Sequence, residues 1–296
     1  MKNQTLNSQV FMAFAAGKET KEFKIKRYVG IAPCQVVAIN PSKKELEDLF
    51  DREFEEPQYV TTATNNDGKE IKVARINFVI KTKETTVCGE EMFMMSMFVR
   101  EQYRTNKDNT KIQVIDKYGR TAWVTNDQFS QKEIPMYSNG PAKLDKDYKP
   151  VLVGEEALID FVKCYLGIPN IDIYDQKTGQ FVLNANPSEC EASFSNIKTF
   201  FTGDFKEIKE LKSNNYVKIL FGVRENDGKT YQAFFTDKFA KNNGGTTAIE
   251  RALKERLETG ALSNTTFEIC ELKEYKPQAT DFTTVPTEVE NPWGPF

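Results

Sequence analysis

A chain of 296 residues, 39% hydrophobic and 28% charged with a net charge of −3, can bury a substantial core as one large domain or two. It contains no histidine, which removes Ser-His-Asp and Cys-His catalysis and imidazole-ligated zinc and leaves carboxylate-and-magnesium chemistry open. The five cysteines (Cys34, Cys88, Cys164, Cys190 and Cys270) are odd in number, far apart and without a C-x-x-C pair, so they read as small buried residues rather than a disulfide framework or a zinc site. No apolar run approaches the ~18 residues of a membrane span. Near the N-terminus only Val10–Ala16 is apolar, too short for a signal peptide, so the expectation is a cytoplasmic protein with no membrane partner.

Residues 1–21 have weak periodicity and read as a loosely attached arm. Glu22–Ile39 reads as extended, with Phe23 and Ile25 alternating with Lys24 and Lys26, and with Gly30 and Pro33 breaking it in the middle. Asn40-Pro41-Ser42 is a turn, and Ser42 with Glu45 forms a capping box that opens a short amphipathic helix over Lys43–Phe54. Strands over Tyr59–Thr64 and Val73–Thr82 flank the turn Asn65-Asn66-Asp67-Gly68. Ile76, Phe78 and Ile80 point one way, and Arg75, Asn77, Val79 and Lys81 the other.

Met92–Val124 is the most informative stretch. It starts as an apolar alternating strand, passes through the polar turn Thr105–Thr110, and returns in two further strands, Lys111–Asp116 and Thr121–Val124, as a β-meander. Between Val99 and Val124 six basic residues (Arg100, Arg104, Lys107, Lys111, Lys117, Arg120) stand against three acidic ones, with Tyr103, Tyr118 and Trp123 among them. A single strand of nucleic acid needs that mixture, because cations follow its phosphates and flat rings stack on its bases. The alternative is a solvated hairpin whose Tyr and Trp pack on the core, and both readings stay open. Lys18–Arg27 adds five basic residues against two acidic, so Lys24, Lys26, Arg27 and Tyr28 are candidates to extend the same groove.

Residues 126–215 read as a helical insertion. They comprise a Pro- and Gly-rich loop at Ile134–Pro150, a helix over Glu155–Leu166 ended by Gly167 and Pro169, a hairpin at Asp172–Leu183, and helical segments from Ser188 to about Lys212. The β pattern resumes at Tyr216–Arg224, turns at Asn226-Asp227-Gly228 and returns as Lys229–Thr236. A helix over Thr247–Glu258 follows Gly244-Gly245, and the last strand is Thr266–Leu272. Neither β region alone has enough strands with a clear closing edge. The expected fold is therefore α+β: an OB-like antiparallel β-barrel core whose first part is 22–125 and whose closing part is 216–275, followed by a flexible acidic C-terminal tail over 276–296.

Beyond Lys276 that tail has no Lys or Arg, is punctuated by Pro277, Pro286, Pro292 and Pro295, and carries Glu288, Glu290, Trp293 and Phe296. Two large rings beside acidic groups suit a partner's basic pocket, although docking of Trp293 and Phe296 on the protein's own surface or a neighbouring subunit is the alternative. The segment resembles the acidic, aromatic-ended tail of bacterial and phage single-stranded-DNA-binding proteins, with fewer acids and a Trp-Gly inserted before Pro-Phe.

A wider resemblance rests on EFKIKRYVGIAPCQVVAINPSKKELE, IDKYGRTAWVT, IPMYSNGPA, GEEALIDFVKCYLGIPN and FEICELKEY. Together these are similar to a replication-module protein of crAss-like phages, tailed viruses of Bacteroidales gut bacteria. The resemblance implies a non-enzymatic single-stranded-DNA-binding protein of phage replication or recombination, in the cytoplasm of the bacterial host. It would need no cofactor and would recruit phage or host replication enzymes through its tail; homo-oligomerisation stays open. Two other classes compete. A structural or virion-packaged protein would show the same β-rich core. Glu271-Leu272-Lys273 has the E-x-K spacing that metal-dependent nucleases use, a triplet common by chance.

Overall fold

Strand β1 (Ile25–Ile39) is where the two β regions of the chain meet. In the computed structural model, residues 25–85, 89–116, 120–134, 144, 146–167, 172–178, 180–183, 201, 215–256 and 270–275 are described. The arm over 1–21, the helical segments expected from Ser188 to Lys212 (apart from residue 201) and the tail over 276–296 lie outside them. β1 runs unbroken through Gly30 and Pro33, which had been expected to interrupt it. Gly30 takes φ +111°, which favours glycine, and a bulge between Val36 and Ala38 bends the strand, so the chain turns without leaving the sheet.

The bend lets one strand serve three partners. Ile25–Val29 pairs with β13 (Glu271–Tyr275), Gly30–Cys34 with β11 (Val217–Asn226), and Cys34–Ile39 with β3 (Glu70–Thr82), all antiparallel. With β2 (Val60–Thr64), β4 (Met92–Tyr103), β8 (Leu152–Val153) and β12 (Lys229–Lys241) this makes an eight-stranded sheet of order β12-β11-β1-β3-β4-β8, with β13 on β1 and β2 on β3. The sheet is strongly curled. Phe93 of β4 and Phe234 of β12 stand four places apart in the strand order, about 19 Å in a flat sheet, yet their ring centroids are 6.0 Å apart. Phe221 of β11 lies 5.2 Å from Phe93, and Tyr28 completes this aromatic cluster inside the roll. The two β regions therefore share one mostly antiparallel sheet. Its hydrogen-bonded path among the described residues ends at β12 and β8, so it is a half-barrel and not a closed ring.

Helix α3 (Glu155–Leu166) packs against strands from both halves of the roll. Phe161 is fully buried, with its ring 4.5 Å from Phe78 of β3 and 5.0 Å from Phe239 of β12. Gly154 permits this placement: it sits at φ +87°, and a Cβ there would come within 1.8 Å of the Phe98 carbonyl oxygen. Residues 146–167, read from sequence as part of an insertion, thus supply both the end strand of the sheet and a core helix. Helix α4 (Thr247–Arg256) packs Ile249 and Leu253 on a second cluster with Ile31, Leu220 and Phe235.

The expected meander divides between two sheets. β5 (Lys111–Ile115) pairs with β6 (Thr121–Thr125) and with β7 (Lys149–Pro150), while β4 stays in the large sheet and the chain just beyond it bridges at Thr105 to Ile112. The intervening loop enforces the change of direction. Asn106 Oδ1 accepts the backbone N–H groups of Thr110 and Lys111, both at 2.9 Å, and Asn109 adopts φ +54°.

Other local signals hold. The Ser42–Glu45 capping box is formed, although helix α1 (Lys43–Phe50) ends earlier than expected, at Asp51 with φ +49°. Asp227 and Gly228 both have positive φ, as a two-residue hairpin turn requires. Strands β9 (Asp172–Asp175) and β10 (Gln180–Leu183) form the expected hairpin. β13 begins at Glu271, later than the strand expected over Thr266–Leu272, of which 266–269 lie outside the described residues. Among the described residues no helix is long and apolar enough to cross a membrane.

Candidate nucleic-acid interface

The small sheet β5-β6-β7 has two differently covered faces. Val114, Ala122 and Val124 face a cluster with Leu144, Phe129 and Tyr148. Alternation puts Lys111, Gln113, Ile115 and Trp123 on the opposite face, where Ile115 joins the main core and Trp123, across from Gln113, remains 40% exposed at the rim. Lys111, also exposed, is the diagonal cross-strand neighbour of Trp123.

Arg104 completes this rim. Its backbone is fixed on both sides: its N–H donates to the Val151 carbonyl at 2.8 Å, and its own carbonyl accepts the Gln113 N–H at 2.9 Å. The guanidinium lies 5.9 Å from the centroid of the Trp123 ring and forms an ion pair with Glu156, in the first turn of α3. The other Glu156 oxygen is 3.9 Å from Lys238 Nζ. Lys107 is exposed on the Thr105–Thr110 loop. A half-exposed indole beneath a guanidinium, with further cations beside it, is an arrangement that can stack a base and hold its phosphates.

The remaining sequence candidates separate from this rim. Tyr103 is 49% exposed, but its ring stands 6.2 Å from Phe129, on the other face of the small sheet, so Tyr103 and Trp123 do not line one groove. Arg100 is half-buried in the ladder between Val73 and Val153. Arg120 is committed to structure: its Nε donates to the Asp116 carboxylate at 2.6 Å, and that carboxylate is 0% exposed. Lys117 and Tyr118 lie outside the described residues, as does Lys24.

The β1 candidates form no extension of the rim. The register places Lys26, Arg27 and Tyr28 beyond the Thr82/Met92 end of the β3–β4 ladder, whereas Arg100 lies at the other end, about 26 Å of strand away. Tyr28 is only 7% exposed and packs on Phe93 and Phe221, so its ring is not available to a base. Arg27 donates to the Thr230 carbonyl at 2.9 Å, and partial burial lowers its pKa from the usual value. Lys26 is exposed.

Two residues of the rim carried no local signal in the sequence. Glu156 is one of two acids in the first turn of α3, and Lys238 sits in a bulge, where β12 advances five residues (Phe235 to Ala240) while β11 advances two. Neither reveals its neighbours until the helix docks. Glu271 and Lys273, the candidate E-x-K pair, form an ion pair with each other at 2.9 Å on β13, with both side chains over two-fifths exposed. The tail residues Glu288, Glu290, Trp293, Pro295 and Phe296 lie outside the described residues. No protein-family model, curated protein or solved structure matches the chain.

Proposed function

We propose that this chain is a non-enzymatic, sequence-tolerant single-stranded-DNA-binding protein of phage replication or recombination, acting in the cytoplasm of the bacterial host. A base stacks on Trp123 while Arg104, Lys111 and Lys107 follow the phosphates. The observation that carries this reading is the Trp123 ring, 40% exposed beneath the Arg104 guanidinium at 5.9 Å, next to an exposed lysine in the neighbouring strand. The curled antiparallel sheet is read as an OB-like core, a partly open barrel whose face and loops suit oligonucleotides. The acidic segment 276–296, with no Lys or Arg beyond Lys276, is read as the element that recruits replication enzymes instead of touching DNA.

Fluorescence anisotropy with a labelled oligothymidylate over a salt series tests the reading. Three phosphate contacts give a slope of log K against log salt of about −2 for a single strand. No measurable affinity at low salt would remove DNA binding and leave a scaffold as the better reading.

A further inference from the structure

The Glu156 carboxylate stands between two cations delivered by different elements. Arg104 follows the last residue of β4 and Lys238 belongs to β12. All three side chains are part-exposed, at 40% for Arg104, 35% for Lys238 and 31% for Glu156, so a solvent-borne anion can reach them. The β12 bulge that aims Lys238 at α3 is held in place: Asp160, one turn beyond Glu156, accepts the Phe239 N–H at 2.9 Å, and the Phe239 ring packs on Phe161. A carboxylate clamped by two part-exposed cations, beside a ring open to stacking, occupies the place a backbone phosphate would take.

We infer that Arg104 and Lys238 form a phosphate subsite which the Glu156 carboxylate fills in the DNA-free protein, and that a strand leaving Trp123 towards Lys238 displaces it. The inference rests on the DNA-binding reading above and adds the direction of the strand and a built-in competitor for it. Glu156 is then a positioning residue with a cost. It holds Arg104 over the indole, and it must be outcompeted before the subsite takes a phosphate.

The test uses the full chain and labelled oligothymidylate of roughly 20 nucleotides, longer than a single stacking site needs. Wild type, E156Q, K238Q and K238R are titrated over a salt series, with a melting curve for each to establish folding. E156Q should bind roughly two- to fivefold tighter, because a competing exposed ion pair is gone. K238Q should bind more weakly, with the salt slope reduced in magnitude by about 0.7, one single-strand phosphate contact. K238R should restore both. If the wild type binds while E156Q and K238Q match it at every salt, the subsite is overturned and the Trp123 reading stands. If the wild type binds nothing at low salt, both fall.

Discussion

The Asp116 carboxylate is fully shielded from solvent and held by Arg120 from two sides, with Nε at 2.6 Å from Oδ2 and the backbone N–H at 3.0 Å from Oδ1. Removing the guanidinium would leave a buried charge with a backbone donor but without its cation. Arg120→Ala should therefore destabilise the protein by about 3 kcal/mol while leaving the DNA affinity of the folded fraction unchanged. Trp123→Ala should do the opposite, weakening oligothymidylate binding by roughly ten- to a hundredfold with little change in melting temperature, because the ring is part-exposed and stacking is worth about 1–3 kcal/mol. Thermal melts paired with anisotropy on both variants check this, and a reversed pattern would place the binding surface elsewhere. The residues themselves show what was legible. Trp123 and Arg104 belong to a basic-aromatic stretch that the sequence marks only as a whole. The same basic-aromatic signal also marks Arg120, Tyr28 and Tyr103, because one-dimensional spacing does not say which cation has a buried partner or which ring faces the core.

Elements whose chemistry is local were readable from the chain. The Ser42–Glu45 box, the Asp227-Gly228 turn and the bounds of α3, closed by Gly167 at φ +68°, each depend on a few adjacent side chains. β1 departs from expectation for the same reason: Gly30 and Pro33 are breakers locally, and only the three flanking partners make them part of one bent strand. The start of α3 also carries an unusual carboxylate. Glu155 is 1% exposed, accepts the Leu152 N–H at 2.7 Å through Oε2 and pairs through Oε1 with Lys149, whose Nζ stands 3.5 Å away. Burial raises its pKa above the ordinary 4.5, against smaller downward pulls from Lys149 and the Leu152 N–H. The folded protein therefore holds this proton more tightly than the unfolded chain, so the stability gained from that proton is lost as pH rises from the ordinary glutamate range through the raised value. Glu155→Gln keeps an acceptor for Leu152 and does not ionise. Its melting temperature relative to wild type should climb across that window, measured by thermal melts from about pH 4 to about pH 8. A difference that stays flat, or shrinks with pH, would mean that the carboxylate is not held protonated by burial.

At the scale of the whole molecule, one sheet assembled from both ends of the described chain was within reach of the sequence, because each β region was visibly short of strands. The curl agrees with the barrel expected from that shortage, whereas the place of α3 in the core was not legible, since the helix reads locally as part of an insertion and only its docking between Phe78 and Phe239 brings it inside. Phe161 reports on that assembly. Its ring touches Phe78 from the first β region, Phe239 from the second and Tyr165 in its own helix, and it is 0% exposed. Truncation to alanine removes contacts on every side at a site that strands on several flanks keep from collapsing. Phe161→Ala should cost about 3–5 kcal/mol. Because the main cluster draws side chains from β1, β3, β4, β11 and β12 as well as α3, the loss should be shared. The expected result is one cooperative unfolding transition moved to lower temperature, with near-ultraviolet and far-ultraviolet signals still coincident. Two separated transitions, one for each β region, would show that the halves fold independently and that α3 only decorates one of them. The same variant bears on the rim, since Phe161 anchors the helix that presents Glu156. Below its lowered transition, Phe161→Ala should keep most of its oligothymidylate affinity, because Trp123 and Arg104 are fixed by β5, β6 and the Val151 carbonyl and do not depend on α3 for their backbone positions.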